Sequence, residues 1–284
     1  MTVPAPAADL QLSARHPRRR WRLAAVLSLA PLAAWAEQPL WELGLGMATL
    51  RLPHYRGSDQ AHTLALPLPF AVYRGRTLRA DREGARAMLF ESDRLDLDLS
   101  LAASAPTRSR DNRARSGMPD LAPTVEIGPN LNLALAQTKD WKFQLRVPVR
   151  VALTLQPQPR DAGWTAAPHL NLDLKRGDWN FGLLGGPLWG SRRMHARLYD
   201  VDPVYSSPTR AAYRSPGGWA GWQATAGVSR RFGDLWAGGF VRSDSLAGAA
   251  FADSPLVRRQ HSLSLGMAVS WVFATSSQSV PDRD

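Results

Sequence analysis

Cysteine is absent from this chain of 284 residues. Its absence excludes a disulfide framework, thiolate metal sites and thiol catalysis. Long apolar runs are also missing, since no stretch reaches the ~20 residues that a membrane-spanning helix needs. The mean hydropathy is −0.26. A transmembrane β-barrel remains compatible with these absences, because its strands alternate in polarity and their average hydropathy stays low.

The N-terminal segment carries the features of a signal peptide. Arg15 and the arginines at 18–20 and 22 precede an apolar run at 23–32, and Ala34-Trp35-Ala36 follows. A basic region, an apolar region and an A-x-A site in this order predict a cleavable leader over residues 1–36. The alternative to a leader is a cytosolic N-terminal helix. The 14 residues before Arg15 are typical of an over-extended N-terminus from an upstream start codon.

The formal net charge of +11 raises the possibility of nucleic-acid binding. Several of the arginines belong to the leader, and export from the cytoplasm argues against a nucleic-acid partner.

Alternation with a period of two is the main signal of the remaining chain. In residues 141–151, Trp141 and every second residue after it are apolar, whereas Lys142, Gln144, Arg146 and Arg150 are polar. Such spacing places the two sets on opposite faces of one strand. Comparable alternation occurs at 95–101, 125–135, 169–175 and 262–273.

The lengths of the segments and connectors predict a barrel. Twelve strands are predicted at 40–51, 62–73, 77–83, 86–92, 95–103, 122–136, 141–155, 164–175, 179–190, 219–232, 235–245 and 260–273. Several reach the ~9–11 residues of a tilted membrane strand, and short turns alternate with long connectors. We therefore predict an all-β transmembrane antiparallel up-and-down barrel of about 12 strands over residues 37–273, followed by a polar tail at 274–284. A soluble β-sandwich is the alternative.

Tryptophan follows three of the tight turns. Trp141, Trp179 and Trp236 come directly after turns that contain Asp140, Asp178 and Asp234. This placement predicts an aromatic girdle at one membrane interface.

The polar faces of the strands predict a charged lumen. The predicted lumen charges are Asp96, Asp98, Glu126, Lys142, Arg146, Arg150 and Asp173. Two interpretations remain open: the charges pair across the barrel and block the bore, or they line a channel that selects ions by charge.

No catalytic, cofactor or metal site is predicted. His169 and Asp173 share a strand face but lie ~13 Å apart, too far for a base and its orienting carboxylate. His54 and Ser58 lie in a connector, and no orienting carboxylate can be assigned to them. The histidines and acidic residues show no metal-ligand spacing.

The segment Gly44-Leu-Gly-Met-Ala-Thr-Leu-Arg-Leu-Pro-His-Tyr-Arg-Gly-Ser-Asp59 resembles the opening signature of the MipA/OmpV family. Further similarities occur at 66–70, at 73–75, in a long connector with Tyr199 and Pro203, and at 253–257. The signature residues here are Gly44, Gly46, Pro53, Tyr55, Gly57 and Ser58. Because glycine in a strand often marks close backbone approach and Pro, Gly and Ser favour turns, we interpret them as structural.

The resemblance implies an outer-membrane barrel and a non-enzymatic role. A scaffold that links a murein hydrolase to a murein synthase is the leading hypothesis. A porin-like diffusion channel is the first alternative, and a lipid-modifying barrel enzyme, whose product is lost when His169 or His54 is replaced, is the second. The expected surroundings are outer-membrane lipid and lipopolysaccharide. Arginines at 108–115 and Arg192-Arg193 are candidates for contact with lipopolysaccharide phosphates, or else belong to solvated loops.

Overall fold

The computed structural model of the chain describes residues 37–81, 84–156 and 158–281. The leader predicted at 1–36 lies outside these residues. Over the described residues, the regular secondary structure is almost entirely β-strand, with one α-helix and three short 3-10 helices in the connectors. No helix in this part of the chain is long and apolar enough to cross a membrane.

The strands follow one another along the chain with few interruptions. They are β1 (Glu37–Pro39), β2 (Trp41–Pro53), β3 (Ala61–Arg74), β4 (Leu78–Asp81), β5 (Gly84–Glu91), β6 (Leu95–Ser104), β7 (Thr124–Gln137), β8 (Trp141–Thr154), β9 (Asp161–Ala166), β10 (His169–Arg176), β11 (Trp179–Gly190), β12 (Gly218–Phe232), β13 (Leu235–Ser245), β14 (His261–Thr275) and β15 (Ser279–Pro281). The helix α1 is Arg192–Tyr199, and the 3-10 helices are Ser109–Asp111, Arg113–Arg115 and Pro203–Tyr205.

The sheet closes on itself as an antiparallel barrel. Each strand from β2 to β8 pairs with the next along the chain, as do β10 to β14, and β14 returns to pair with β2. The strands β9 and β10 both pair with β8 and with β11, so together they fill a single position interrupted at residues 167–168. The wall therefore has twelve strand positions, which confirms the predicted architecture.

Some predicted bounds are wrong at the strand ends. The third predicted strand, 77–83, begins at Leu78 in the structure, and the fourth begins at Gly84 instead of at 86. The last barrel strand extends to Thr275, and Ser279–Pro281 of the predicted tail pairs with Glu37–Pro39. This pairing gives the backbone groups of both terminal segments hydrogen-bond partners, which the polar composition of the tail did not indicate.

The outer face of the barrel is apolar and exposed. Met47 is 58% exposed, Met267 69% and Trp271 57%, as lipid-facing side chains should be in the absence of lipid. Two of the three girdle tryptophans face outward: Trp141 pairs with Leu174 in the outer row, and Trp179 stacks on Phe181.

The prediction for the third girdle tryptophan is wrong, because Trp236 faces the lumen. It pairs with the buried Ser270, and its ring centroid lies 5.8 Å from that of Phe70. The intervening strands carry Gly44, Gly46 and Ser270 on their inner faces, and these small residues leave room for the two rings. Position after a tight turn does not decide which face a side chain takes.

The connectors differ sharply between the two ends of the barrel. The first and last described strands, β1 and β15, and the short turns lie at one end, which is the periplasmic end in proteins of this architecture. Larger loops lie at the other end: L1 (54–60), L3 (105–123), L4 (described at 155–156 and 158–160), L5 (191–217) and L6 (246–260). In L5, the Ser191 hydroxyl accepts a hydrogen bond from the amide of Met194 and so caps α1.

Candidate functional site

Three of the outer loops start at evenly spaced points around the barrel. L1 follows β2, L3 follows β6 and L5 follows β11, so four strand positions separate each loop from the next. Twelve strands at ~4.8 Å spacing and ~40° tilt enclose a backbone cylinder about 24 Å across, with the three loop bases roughly 20 Å apart. Contacts between these loops therefore have to be made over the bore.

Each of the three loops is hydrogen-bonded to the other two. The Thr107 hydroxyl of L3 donates to the carbonyl of His54 at 2.8 Å. The Tyr199 hydroxyl donates to the carbonyl of Arg56 at 2.9 Å, joining the L5 helix to L1. Arg115 of L3 donates to the carbonyl of Leu198 at 3.0 Å. We call the assembly of L1, L3, L5 and L6 the loop cap.

The loop cap has a hydrophobic core of its own. Tyr199, Phe251 and Leu246 are each 1% exposed, and Leu256 is fully buried. Tyr55 packs edge-on to Tyr199, with ring centroids 6.2 Å apart, and donates its hydroxyl hydrogen to the carbonyl of Leu256 at 2.8 Å. Burial raises the pKa of Tyr55 to about 12, so the phenol stays protonated and remains a donor. Because these side chains come from different loops, the cap is a packed unit.

The signature residues fall into two places. Gly44 and Gly46 lie on the inner face of β2, and Pro53, Tyr55, Gly57 and Ser58 lie at the top of that strand and in L1. A Cβ atom on Gly46 would lie 2.1 Å from the carbonyl oxygen of Val269, so only glycine allows β14 to approach this closely. Gly57 has φ +93°, a left-handed conformation that favours glycine, and packs under Leu246.

His54, Asn112 and Ser58 form a hydrogen-bonded trio in the cap. The Asn112 amide nitrogen lies 3.1 Å from His54 Nδ1 and donates to Ser58 Oγ at 3.0 Å. Ser58 Oγ in turn donates to the carbonyl of Gln60 at 2.9 Å. The serine hydroxyl is thus engaged with Asn112 and Gln60, whereas a nucleophile needs its hydroxyl on the histidine base. Asn112 lies more than 50 residues from His54 and Ser58 in the sequence, so their spacing does not predict the trio.

The basic stretch of L3 contributes one buried arginine to the cap, and Arg108, Arg110 and Arg113 are exposed. Arg115 is 3% exposed, and its guanidinium donates to Ser109 Oγ and to the carbonyls of Leu198 and Pro119. Burial lowers the pKa of Arg115 to about 10, which leaves it charged at neutral pH. Arg113 pairs with Asp59 at 3.2 Å. Arg115 is therefore not available for the predicted contact with lipid phosphate, since it turns inward, which the sequence does not reveal. The prediction for the other three arginines stays a prediction.

His195 lies at the base of the cap. It is 2% exposed, its Nδ1 lies 2.8 Å from the carbonyl of Pro216, and its Nε2 has no partner within the described part of the chain. Its ring packs edge-on to Phe251, with centroids 4.6 Å apart. Desolvation lowers the pKa of His195, and the nearby positive charge of Arg56 adds to the effect. The buried site therefore favours the neutral imidazole over the charged form.

The predicted lumen charges all lie on inner strand faces, where most of them bond to near neighbours. Arg146 pairs with Asp173 at 3.5 Å, and Lys142 stands opposite Asp173 in the β8–β10 register. Asp98 accepts hydrogen bonds from Asn130 and Asn132. The remaining contacts are Arg150 to Ser100, Thr165 to Glu126, and the register pairing of Asp96 with Asn132.

Two charged clusters in the lumen were missed by the sequence reasoning. Near the periplasmic end, Glu42 is 2% exposed and is paired with Arg74 at 2.7 Å and with Arg231. Beneath the cap, Asp244 pairs with Arg56 at 2.9 Å and with Arg242 at 2.8 Å. Alternation places Glu42 on the same inner face as Gly44 and Gly46, so that cluster was detectable from the sequence.

One side of the lumen is apolar. Leu50, Phe70, Trp236 and Phe240 lie on the inner faces of β2, β3 and β13. They rest on small residues: a Cβ atom on Gly266 would lie 2.2 Å from the Phe240 ring and 2.8 Å from Leu50. The wall from β6 to β10, by contrast, carries the charged and amide side chains described above. These apolar side chains therefore lie between the Glu42 cluster at the periplasmic end and the Asp244 cluster beneath the cap, and face the polar wall from β6 to β10.

A closed antiparallel wall with an apolar outer face and a polar inner side defines an outer-membrane β-barrel. Residues 45–273 match the family described as "MltA-interacting protein MipA", and the chain belongs to that family. No curated protein matches the chain.

Solved structures of several outer-membrane proteins are similar to the chain in fold. One described as a bacterial polysaccharide outer membrane secretin is 9% identical, with a TM-score of 0.38 over 83% of this chain and 99% of that chain. Outer membrane phospholipase A from Escherichia coli is 10% identical, with a TM-score of 0.33 over 83% and 94%. A porin is 10% identical, with a TM-score of 0.33 over 83% and 100%. The likeness concerns the fold alone.

Proposed function

We propose that this protein is a non-enzymatic outer-membrane scaffold whose bore is closed by its own loops and whose periplasmic end binds enzymes of murein remodelling. The observation that carries the proposal is the mutual bonding of L1, L3 and L5 over the mouth. A barrel sealed in this way is suited to anchoring a partner rather than to passing solutes. The family description, which names an interaction with MltA, supports a murein enzyme as that partner.

The periplasmic end offers an exposed, charged rim for such a partner. Its short turns carry exposed Arg76, Arg94 and Lys139 beside exposed Asp93 and Asp140. Charged rim residues of both signs provide the electrostatic complementarity that fixes orientation and raises association rates.

The hydrogen bonds of the trio in the cap support a non-enzymatic role. The Ser58 hydroxyl is bonded to Asn112 and Gln60, and His54 faces Asn112 rather than Ser58 in the hydrogen bonds of the trio. A lipid substrate would find neither a free nucleophile nor an adjacent base there.

The test is binding of a purified murein-degrading lytic transglycosylase to the membrane-extracted protein in lipid nanodiscs. The charge reversals Arg76→Glu and Lys139→Glu, made together at the periplasmic rim, should weaken binding at least tenfold. Arg214→Glu with Arg192→Glu makes the same charge change in exposed outer-loop residues and should leave binding unchanged. Equal loss with both pairs, or no binding by the unaltered protein, would contradict the scaffold role.

A porin-like channel is the second candidate, favoured by the polar side of the lumen. Arg146, Arg150 and Asp173 line the path that an ion would take once the cap was displaced. This candidate requires the cap to open, and bilayer conductance separates it from the scaffold.

A further inference from the structure

A cleft of about 440 Å³ lies at the outer rim, where L1 and L6 meet the ends of β13 and β14. Its polar lining includes Arg51, Arg259 and His261, and Leu263 forms its apolar side. We call it the outer-rim cleft. It is separate from the loop cap core and from the lumen clusters.

The cleft opens on the outside of the barrel wall. Arg51 lies between Leu50 and Leu52 on β2, and Leu50 reaches the inner face beside Phe240, so Arg51 points outward. His261 and Leu263 share the outer face of β14 with Leu265 and Met267, which are exposed toward lipid. A ligand in the cleft therefore approaches from the membrane.

The depth of Arg51 corresponds to the upper edge of the lipid-facing band. Below it on the outer face of β2 stand Met47, Leu45 and Leu43, all exposed apolar side chains. The ten steps from Trp41, the first residue of β2, to Arg51 span ~33 Å along the strand at ~3.3 Å each, which is ~25 Å along the barrel axis at a tilt of ~40°. The apolar band of such barrels is also ~25 Å tall. Arg51 thus stands where acyl chains end and headgroups begin.

The cations of the cleft are not neutralised by the protein. Neither Arg51 nor Arg259 forms an ion pair with a carboxylate among residues 37–81, 84–156 and 158–281. The acidic side chain of the cleft, Asp59, is paired with Arg113 at 3.2 Å. By contrast, Arg56 of the same loop is bound to Asp244. Two guanidinium groups therefore face the headgroup layer with their donors available.

We propose that the outer-rim cleft binds the phosphate-bearing headgroup of an outer-leaflet glycolipid. The planar donor fork of arginine matches the oxygens of a phosphate, and Arg51 and Arg259 supply two such forks. His261 adds a third donor at the rim. The acyl chains of the lipid lie along Leu263, Leu265 and Met267 beneath the headgroup. The site is on the outer wall, so it is independent of the proposed scaffold role.

The test is binding of lipid A to the protein extracted from membranes and freed of native lipid in detergent, measured by native mass spectrometry. The double variant Arg51→Gln with Arg259→Gln should lose at least tenfold in affinity for bisphosphorylated lipid A. Arg108→Gln with Arg110→Gln removes the same charge from the outer loop L3 and should change affinity less than twofold. Dephosphorylated lipid A should bind all three proteins weakly and equally.

Three results would overturn the proposal. If the Arg51 and Arg259 double variant keeps its affinity, or if the L3 control loses as much, lipid A binds elsewhere on the protein. If inorganic phosphate competes as strongly as lipid A, the cleft is a site for free phosphate. Gel mobility before and after boiling verifies that each variant is folded. If the double variant does not fold, Arg259→Gln alone, in an exposed loop position, serves with an expected loss of at least threefold.

Discussion

Tyr199 and Phe251 stack face to face, with ring centroids 3.7 Å apart and an interplanar angle of 8°. One ring belongs to the helix of L5 and the other to L6, so the stack joins two loops that rise from different strand pairs. Both side chains are 1% exposed although they lie outside the membrane-spanning wall. The pair packs in the core of the loop cap, and in the proposed function the cap closes the bore.

Tyr199→Ala should therefore open the cap without unfolding the barrel. Truncation of a fully buried aromatic residue costs about 3–5 kcal/mol, and here the loss falls on the loops rather than on the strand ladder. Trypsin should cleave L5 and L3 of the variant at least tenfold faster than in the unaltered protein at pH 7.5. Val204→Ala, at an L5 position that is 80% exposed, is the control and should leave the rate unchanged. Equal cleavage rates in Tyr199→Ala and the unaltered protein would show that the stack does not hold the cap.

Acid should weaken the cap through His195. Its pKa is lowered by burial in the folded state, so the unfolded or opened loop takes up a proton first as the pH falls. The cap is accordingly most stable above the ordinary histidine pKa of ~6.5 and loses stability progressively below it. Buried Nε2 faces no acidic partner among the described residues, and the nearby charge, Arg56, is also positive.

Hydrogen–deuterium exchange of L5, corrected for the intrinsic effect of pH, measures this response. Protection of residues 192–205 should fall between pH 7.5 and pH 5. His195→Gln should reduce the fall, and His261→Gln, at an exposed position on the outer wall, should not. The same acid response in His195→Gln would assign the titration to another group. His54 is one such group, since burial and the neighbouring His62 lower its pKa as well.

Glu42→Gln should destabilise the barrel itself. The carboxylate is 2% exposed and faces both Arg74 and Arg231, so its neutralisation leaves two guanidinium groups without their counter-charge. Breaking a buried pair costs about 3–5 kcal/mol; we expect the lower end, because Arg231 is 41% exposed. The free energy of unfolding in urea, followed by gel mobility, is the measurement.

Glu91→Gln is the matched control for Glu42. Glu91 pairs with Arg79 at 2.8 Å but is 35% exposed, and its loss should cost less than about 1 kcal/mol. Equal effects of the two substitutions would mean that burial of Glu42 contributes nothing to stability.

Gly46→Ala tests the structural role of the signature glycines. The added methyl group would lie 2.1 Å from the Val269 carbonyl oxygen and 2.4 Å from Ser270 Oγ, so β2 and β14 would have to separate at the closing seam of the barrel. We expect a lower free energy of unfolding by about 1–3 kcal/mol. Gly182→Ala, whose methyl group would meet nothing nearer than 3.7 Å, should be close to neutral. A neutral Gly46→Ala variant would contradict the close approach.

The barrel wall was predictable because its strands follow a local rule. β14, for example, alternates from Leu263 to Phe273, and this period of two fixes both the strand and its outward face. The rule also puts the predicted lumen charges on inner faces, and it would have placed Glu42 there. The prediction for Trp236 was wrong because it rested on the position after a turn and not on the strand's own alternation.

The loop cap was not predictable from the same reasoning. Tyr55, Tyr199 and Phe251 lie in connectors without periodicity, and each is buried only because loops distant in sequence meet over the bore. The inward turn of Arg115 and the trio of His54, Asn112 and Ser58 have the same origin. Only the resemblance to a family marked these loops in the sequence, through residues 44–59 for L1, Tyr199 and Pro203 for L5, and residues 253–257 for L6.

Single-channel conductance of the folded protein in a planar lipid bilayer tests the closed bore most directly. At pH 7.5 we expect a silent barrel, verified as folded by its gel mobility before boiling, and measurable openings once Tyr199 is replaced by alanine. Steady, reproducible conductance steps from the unaltered protein would show that L1, L3 and L5 do not seal the mouth, and the closed bore would then be wrong.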